Sequence, residues 1–218
     1  MNRYLLTFYK KGNMRFISHL DLQRLFQRAV KRGDIDVAYS HGFNPHELMN
    51  IVQPLSLGFE GLKEFLELDT NIPYNTDELI SRMNLSMPEG MGFTSCIELE
   101  RKNQSTSCPT KAAEYEVKVF GDIPSENLIS EFLSQEKVLI LKRDKKTKTM
   151  VEKDVKSLIY SIDLIDKENK ILFVRVACGS NSTVNPVNLL NSLYDFAGMT
   201  FNADESRITR TAIIREEE

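Results

Sequence analysis

Arg24, Arg28 and Lys31 recur at i, i+4 and i+7, so a helix through this stretch sets all three on one side with Arg32 beside them. Guanidinium groups present planar forks of donors that fit phosphate oxygens, so such a stripe can meet several phosphates at once. An ordinary amphipathic helix with a basic solvent face would carry the same residues, and Asp21, one turn before Arg24, can pair with it. The three histidines of the chain, His19, His41 and His46, fall in the same N-terminal stretch. His19 lies in the first helical turn, where the helix dipole disfavours the imidazolium and suits a neutral acceptor, metal ligand or base. Three histidines could hold a divalent metal, although no pair has the i, i+4 spacing of helical ligands. A histidine base acting through a ribose 2′-hydroxyl would make a ribonuclease, but no partner acid or oxyanion device can be named for it. The plainer alternative is that these histidines cap a helix and stabilise a turn.

A second constellation follows at Tyr39-Ser40-His41-Gly42-Phe43-Asn44-Pro45-His46. Tyr39, Phe43 and, further back, Phe16 offer aromatic faces; Ser40, Asn44 and the backbone around Gly42 offer donors. Gly42 permits a positive φ angle or a close approach, and Asn44 before Pro45 is driven toward extended geometry. Aromatics between basic residues are what stacking on unpaired bases needs, and they are equally the residues that fill cores.

These side chains need elements to position them. Arg3–Lys10 reads as a strand closed by Lys11-Gly12-Asn13. Ser18–Arg32 reads as a helix, with Ser18 as N-cap and Asp21 as a capping-box-like acid. Its apolar positions are Leu22, Leu25, Phe26, Ala29 and Val30, and Gly33 stops it. Ile35–Tyr39 reads as a second strand. Further strands are expected at Met49–Leu55, Glu64–Leu68 and Gly92–Leu99, with a helix from Thr76 to about Met83. The order β-α-β-β-α-β is the split βαβ, ferredoxin-like pattern.

Residues 101–110, polar and without periodicity, read as a linker. A second series follows: strands at Glu114–Phe120, Val138–Lys142, Ile159–Ile165, Ile171–Ala177 and Ile208–Arg215. Helices open at Ser125 and Pro186. The expected fold is therefore α+β, two tandem ferredoxin-like halves with antiparallel sheets. They span residues 1–100 and 111–218, the second with extra strand. The Lys142–Lys148 stretch reads as a solvated hairpin tip, and Ser180–Thr183 as a loop and cap ahead of Pro186.

The 218 residues are 41% hydrophobic and 27% charged, which excludes wholesale disorder, fibrous repeats and long apolar spans. The net charge of −3 hides an asymmetry that can steer an anionic partner locally. Residues 1–46 carry eight Lys or Arg against three acids, whereas residues 47–100 carry two bases against ten acids. The N-terminus has too little apolar length for a signal peptide, which predicts a cytoplasmic protein without a membrane partner. Cys96, Cys108 and Cys178 share no metal or redox spacing and read as reduced thiols. No Walker loop, GxGxxG, CxxxCxxC, HExxH or nucleophile elbow occurs, so the chain lacks the cysteines for a radical-type iron–sulfur cluster.

Phe16-Ile17-Ser18-His19-Leu20-Asp21, Arg24, Arg28-Ala29, Ala38-Tyr39-Ser40 and Gly42-Phe43-Asn44-Pro45-His46 resemble the signature of an uncharacterised bacterial, radical-SAM-associated family. Pro54-Leu55, Leu57-Gly58 and Glu64-Phe65 continue the likeness, which is strongest across residues 3–70. Typical members have a small or basic residue at the place of His41. Members occur alone or fused C-terminal to a radical-SAM protein with a cobalamin-binding-like region, and their genes often lie near an E/G-type ribonuclease and ribosomal proteins. The resemblance implies an accessory role near RNA. At the level of fold, two such halves are also similar to the RNA-binding repeat-associated proteins of CRISPR systems.

The expectation is a non-catalytic binding module that presents an anionic substrate, such as structured RNA, to a separately encoded radical-SAM protein. It needs no cofactor or metal of its own. Arg24, Arg28 and Lys31 would contact phosphates, with Ser18 and Asp21 at the helix start. Tyr39, Ser40, Gly42, Phe43 and Asn44 would shape the pocket, and His19 and His46 would hydrogen-bond the ligand. Two other readings stay open: a hydrolase or metal-dependent ribonuclease built on His19 and His46, and a docking scaffold using the acidic 47–100 region.

Overall fold

Alternating apolar side chains make the first strand and set what packs on it. Tyr4, Leu6 and Phe8 of β1 (Asn2–Lys10) join a core with Leu22, Phe26, Ala29 and Val30 of α1 (His19–Arg32). Phe8 meets Phe26 edge-on, ring centroids 5.0 Å apart, and Phe93 closes on both. The computed structural model describes residues 1–99, 108–144, 147–179 and 182–216. The chain divides into two units, Met1–Pro109 and Thr110–Glu218.

In the first unit, α1 is followed by β2 (Met49–Ile51), β3 (Glu60–Thr70), α2 (Thr76–Asn84) and β4 (Met91–Leu99). The strand order is β4-β1-β3-β2 and every pair is antiparallel, with Leu6 opposite Leu66 and Met49 opposite Leu68. Ser18 caps α1 and Asn75 caps α2, each accepting backbone N–H groups of the first turn.

The expected strand Ile35–Tyr39 is not one. Val37 and Tyr39 make only isolated bridges, to Thr70 and Glu47. Its backbone is spoken for elsewhere: the Asp36 N–H donates to the Tyr74 hydroxyl (2.8 Å), and the Ala38 N–H donates to the Asp69 carbonyl (2.8 Å). Short β2 takes the place beside β3 instead. The expected extension to Leu55 ends at Ile51, three residues before Pro54, which has no N–H to offer a ladder.

The second unit runs β5 (Thr110–Lys118), α3 (Glu126–Ser134), β6 (Leu139–Arg143), β7 (Met150–Asp154), β8 (Ile159–Asp166), β9 (Ile171–Ala177), α4 (Pro186–Phe196) and β10 (Arg207–Arg215). Its sheet has the antiparallel order β10-β5-β9-β8. The expected extra strand is a separate ribbon, β6 paired with β7 among the described residues, and of the expected hairpin tip Lys142–Lys148, residues 145 and 146 lie outside them. Every residue of β7 is exposed. Tyr194 of α4 reaches the Asp122 carbonyl (3.2 Å); burial, helped by the Asp122 charge, pushes its phenol up to about 12.

Overall the fold is mixed α+β, with antiparallel strands and four α-helices among the described residues. Of the expected linker, residues 101–107 lie outside the described residues, and Thr110 already belongs to β5. The Ser180–Thr183 cap falls partly outside them too, at residues 180 and 181.

Candidate functional surface

The capping geometry assigns Ser18 and Asp21 to the start of α1. The Ser18 Oγ accepts the Asp21 N–H (3.2 Å) and its hydroxyl donates to Asp21 Oδ2 (2.7 Å), while Arg24 donates to Asp21 Oδ1 (3.1 Å). The Ser18 hydroxyl, then Arg24, hold the Asp21 carboxyl below its usual range. These two residues build the helix that carries the stripe.

The stripe faces solvent because the opposite side of α1 is buried in the core. Arg24, Arg28, Lys31 and Arg32 are all exposed. By helical rise, Arg24 and Arg28 stand about 6 Å apart along the axis and Arg28 and Lys31 about 4.5 Å. Their electrostatic states differ. Arg24 is paired to Asp21, Lys31 is paired to Glu47 (3.4 Å), and Arg28 makes no ion pair among the described residues.

Glu47 is the residue that joins helix to loop. Its carboxylate accepts from Gln27 Nε2 (3.2 Å), faces Lys31 Nζ and lies at the edge of reach of the Tyr39 hydroxyl (3.5 Å). Burial pushes the Glu47 carboxyl up, but its own backbone N–H, Lys31 and Tyr39 outweigh burial and leave it below its ordinary value. Sequence reasoning counted Glu47 only as one acid of an acidic region. No spacing in the sequence ties it to Gln27, twenty residues away, or to Lys31.

The loop above Glu47 is closed at its neck. Ser40 and His46 bond three ways: Ser40 N–H to the His46 carbonyl (2.9 Å), His46 N–H to Ser40 Oγ (3.1 Å), and Ser40 Oγ with His46 Nδ1 (2.8 Å). Nδ1 of His46 is thus engaged by Ser40, and Nε2 lies on the other side of the ring. Between these posts Gly42 sits at φ +130°, a conformation that favours glycine, and no neighbour lies within 4 Å of where its Cβ would be. Asn44 is exposed, and the Phe43 ring is fully exposed, at 112%.

The structure therefore brings Lys31, Tyr39, Ser40 and His46 together around Glu47. It does not bring the histidines together. His19, half-buried in the first turn of α1, stands twelve residues before Lys31, about 18 Å along the helix axis. Among the described residues no group of three or more His, Cys, Asp or Glu is arranged to hold a metal ion.

Among the described residues, two cavities of the first unit have linings that do not include Arg24, Arg28 or Lys31. One, about 290 Å³, lies beside the loop against His46, Glu47, Asn50, Arg3, Glu67 and Asp69. There Arg3 grips Asp69 with two bonds (2.7 and 2.9 Å), and buried Glu67 accepts from Asn50 Nδ2 (3.1 Å) and from the Cys108 N–H. The other, about 570 Å³, lies between the exit of α1 and α2, where Arg82 donates to the carbonyls of Gly33 and Asp34. No helix among the described residues is long and apolar enough to cross a membrane.

An α+β chain with this motif-bearing first unit can now be set beside known proteins. The chain belongs to the family described as "Uncharacterized protein conserved in bacteria (DUF2344)", which matches residues 3–186. No curated protein matches it. A crystal structure of a Cbf5-Nop10-Gar1 complex aligns over 98% of this chain at 12% identity, with a TM-score of 0.47. This chain spans 50% of the matched chain's length, and at that score the likeness says nothing about function.

Proposed function

We propose that this protein is a non-catalytic accessory module that binds an anionic substrate, structured RNA, through the first unit. One observation carries the reading. α1 turns Arg24, Arg28 and Lys31 to solvent, Arg28 makes no ion pair among the described residues, and Glu47 fastens an exposed polar and aromatic loop beside them. Exposed guanidinium and ammonium groups in a row, with stacking and hydrogen-bonding groups adjacent, are what a phosphate backbone and its bases require.

In this reading the two units are tandem ferredoxin-like halves. The orders β4-β1-β3-β2 and, with the β6–β7 ribbon set aside, β10-β5-β9-β8 support it, both running fourth, first, third, second. A separately encoded radical-SAM protein as recipient of the substrate, and a cytoplasmic setting, rest on the sequence resemblance of residues 3–70.

Filter retention of bulk tRNA across a salt series tests the proposal. The wild-type affinity should fall linearly on a log–log plot. The double variant Arg24→Ala/Arg28→Ala should flatten the slope by roughly 1.4 to 1.8, two phosphate contacts at about 0.7 to 0.9 each. A wild-type response flat in salt, or a double variant with unchanged slope and affinity, would overturn it.

A further inference from the structure

We infer that the nucleic acid taken by this module is unpaired where it meets the 40–46 loop, and that one base stacks on the ring of Phe43; this rests on the RNA reading above. Phe43 is fully exposed on a short loop whose ends are held by the three Ser40–His46 bonds. The turn before it depends on a glycine at φ +130°. The ring is thus presented on a braced support, with no packing to explain it.

What surrounds the ring selects the partner. Its neighbours along the loop, His41, Gly42, Asn44, Pro45 and His46, are all exposed and, proline aside, small or polar, so Phe43 is the one phenyl ring between the Ser40 and His46 posts. Docking into the groove of a protein partner draws on contiguous apolar area; one flat, exposed ring on a loop suits one π-face of a base. Glu47, directly after the loop, ties it to Lys31 of α1, and with Nδ1 of His46 engaged by Ser40, Nε2 is the ring nitrogen that can meet a base edge. A paired A-form helix keeps its bases stacked inside and offers none to Phe43, whereas loops, bulges and single strands do.

The chain contains no tryptophan, so Phe43→Trp creates a single indole at the loop tip. Its emission is recorded while fluorescein-labelled RNA, followed independently by anisotropy, is added either as an oligoadenylate or as a blunt, fully paired duplex. The single strand is expected to quench the indole and the duplex to leave it unchanged. Phe43→Ala is expected to weaken oligoadenylate binding by roughly five- to 150-fold, the range of one stacked base, without altering the salt slope. Arg28→Ala is expected to alter that slope. Anisotropy showing oligoadenylate bound while the indole stays unquenched, equal quenching by the duplex, or wild-type affinity for Phe43→Ala each overturns the stacking inference and leaves RNA binding standing. Absence of binding to either RNA in the anisotropy channel overturns both.

Discussion

Replacing Glu47 with glutamine is expected to lower the stability of the fold and to strengthen its hold on a polyanion at the same time. The amide keeps the shape and one acceptor, so Gln27 can still donate, but to a neutral oxygen in place of a charged one. Hydrogen bonds to charged groups contribute about 1.5–3 kcal/mol and neutral ones about 0.5–1.5. The Lys31 end is two-thirds exposed, so that ion pair adds at most about 1 kcal/mol after screening. The Tyr39 contact, at 3.5 Å, is too long to count for much. A net loss of about 1–2 kcal/mol corresponds to a Tm lower by about 2–8 °C for a chain of this size. Thermal melts give the sign of the pH dependence as well. The folded state holds the Glu47 carboxyl below its ordinary value, so the unfolded chain binds more protons there. Its contribution is complete above the usual carboxylate pKa of about 4.3 and is lost as pH falls through the lowered folded value. Wild type and variant should therefore differ at neutral pH and converge in acid. In the tRNA assay, Lys31 released from its partner should steepen the salt slope by roughly 0.7. An unchanged Tm at neutral pH together with an unchanged slope would refute the assignment of Glu47 as the residue joining α1 to the loop.

Other outcomes follow from the same contacts. Ser18→Ala removes the N-cap of α1 and should cost about 1 kcal/mol, read by urea denaturation, while Ser18→Thr, which keeps the hydroxyl that Asp21 accepts, should recover most of it. Phe26→Ala empties the centre of a three-ring cluster and should cost about 3–5 kcal/mol, enough to unfold the first unit in a thermal melt; a loss below 1 kcal/mol would mean the cluster is not the core. Burial, reinforced by Asp77 and Glu98, pushes the Cys96 thiol up to about 12, so iodoacetamide should label it slowly in the native protein at neutral pH and readily in urea.

Elements held by local pattern were legible. Ile171–Ala177 is the strand expected from its apolar run, because β9 lies between β5 and β8 and buries what a central strand buries. Ser18 and Gly33 bound α1 because capping is a matter of adjacent residues. Ile35–Tyr39 misleads because its alternation is real: Ile35 and Val37 are core residues, yet the backbone between them bonds to Tyr74 and Asp69 without building a ladder. β7 had no apolar face to betray it, since its stability comes from pairing with β6. At the candidate surface, the exposed basic stripe and the glycine turn could be read from spacing. The role of Glu47 could not, since Gln27 lies twenty residues away and only the folded chain sets the two together.

The β6–β7 ribbon has a consequence of its own. Ser192 of α4 already donates to the Leu139 carbonyl (2.8 Å), so the rim left to offer backbone amide and carbonyl groups to a passing extended chain is that of exposed β7. Glu152, Lys153 and Asp154 on β7, with Lys142 and Arg143 on β6, line the ribbon with exposed charges of both signs. A strand that paired along this edge would have to seat its own side chains among those charges, a cost that shrinks in concentrated electrolyte, where the reach of charge falls to a few ångströms.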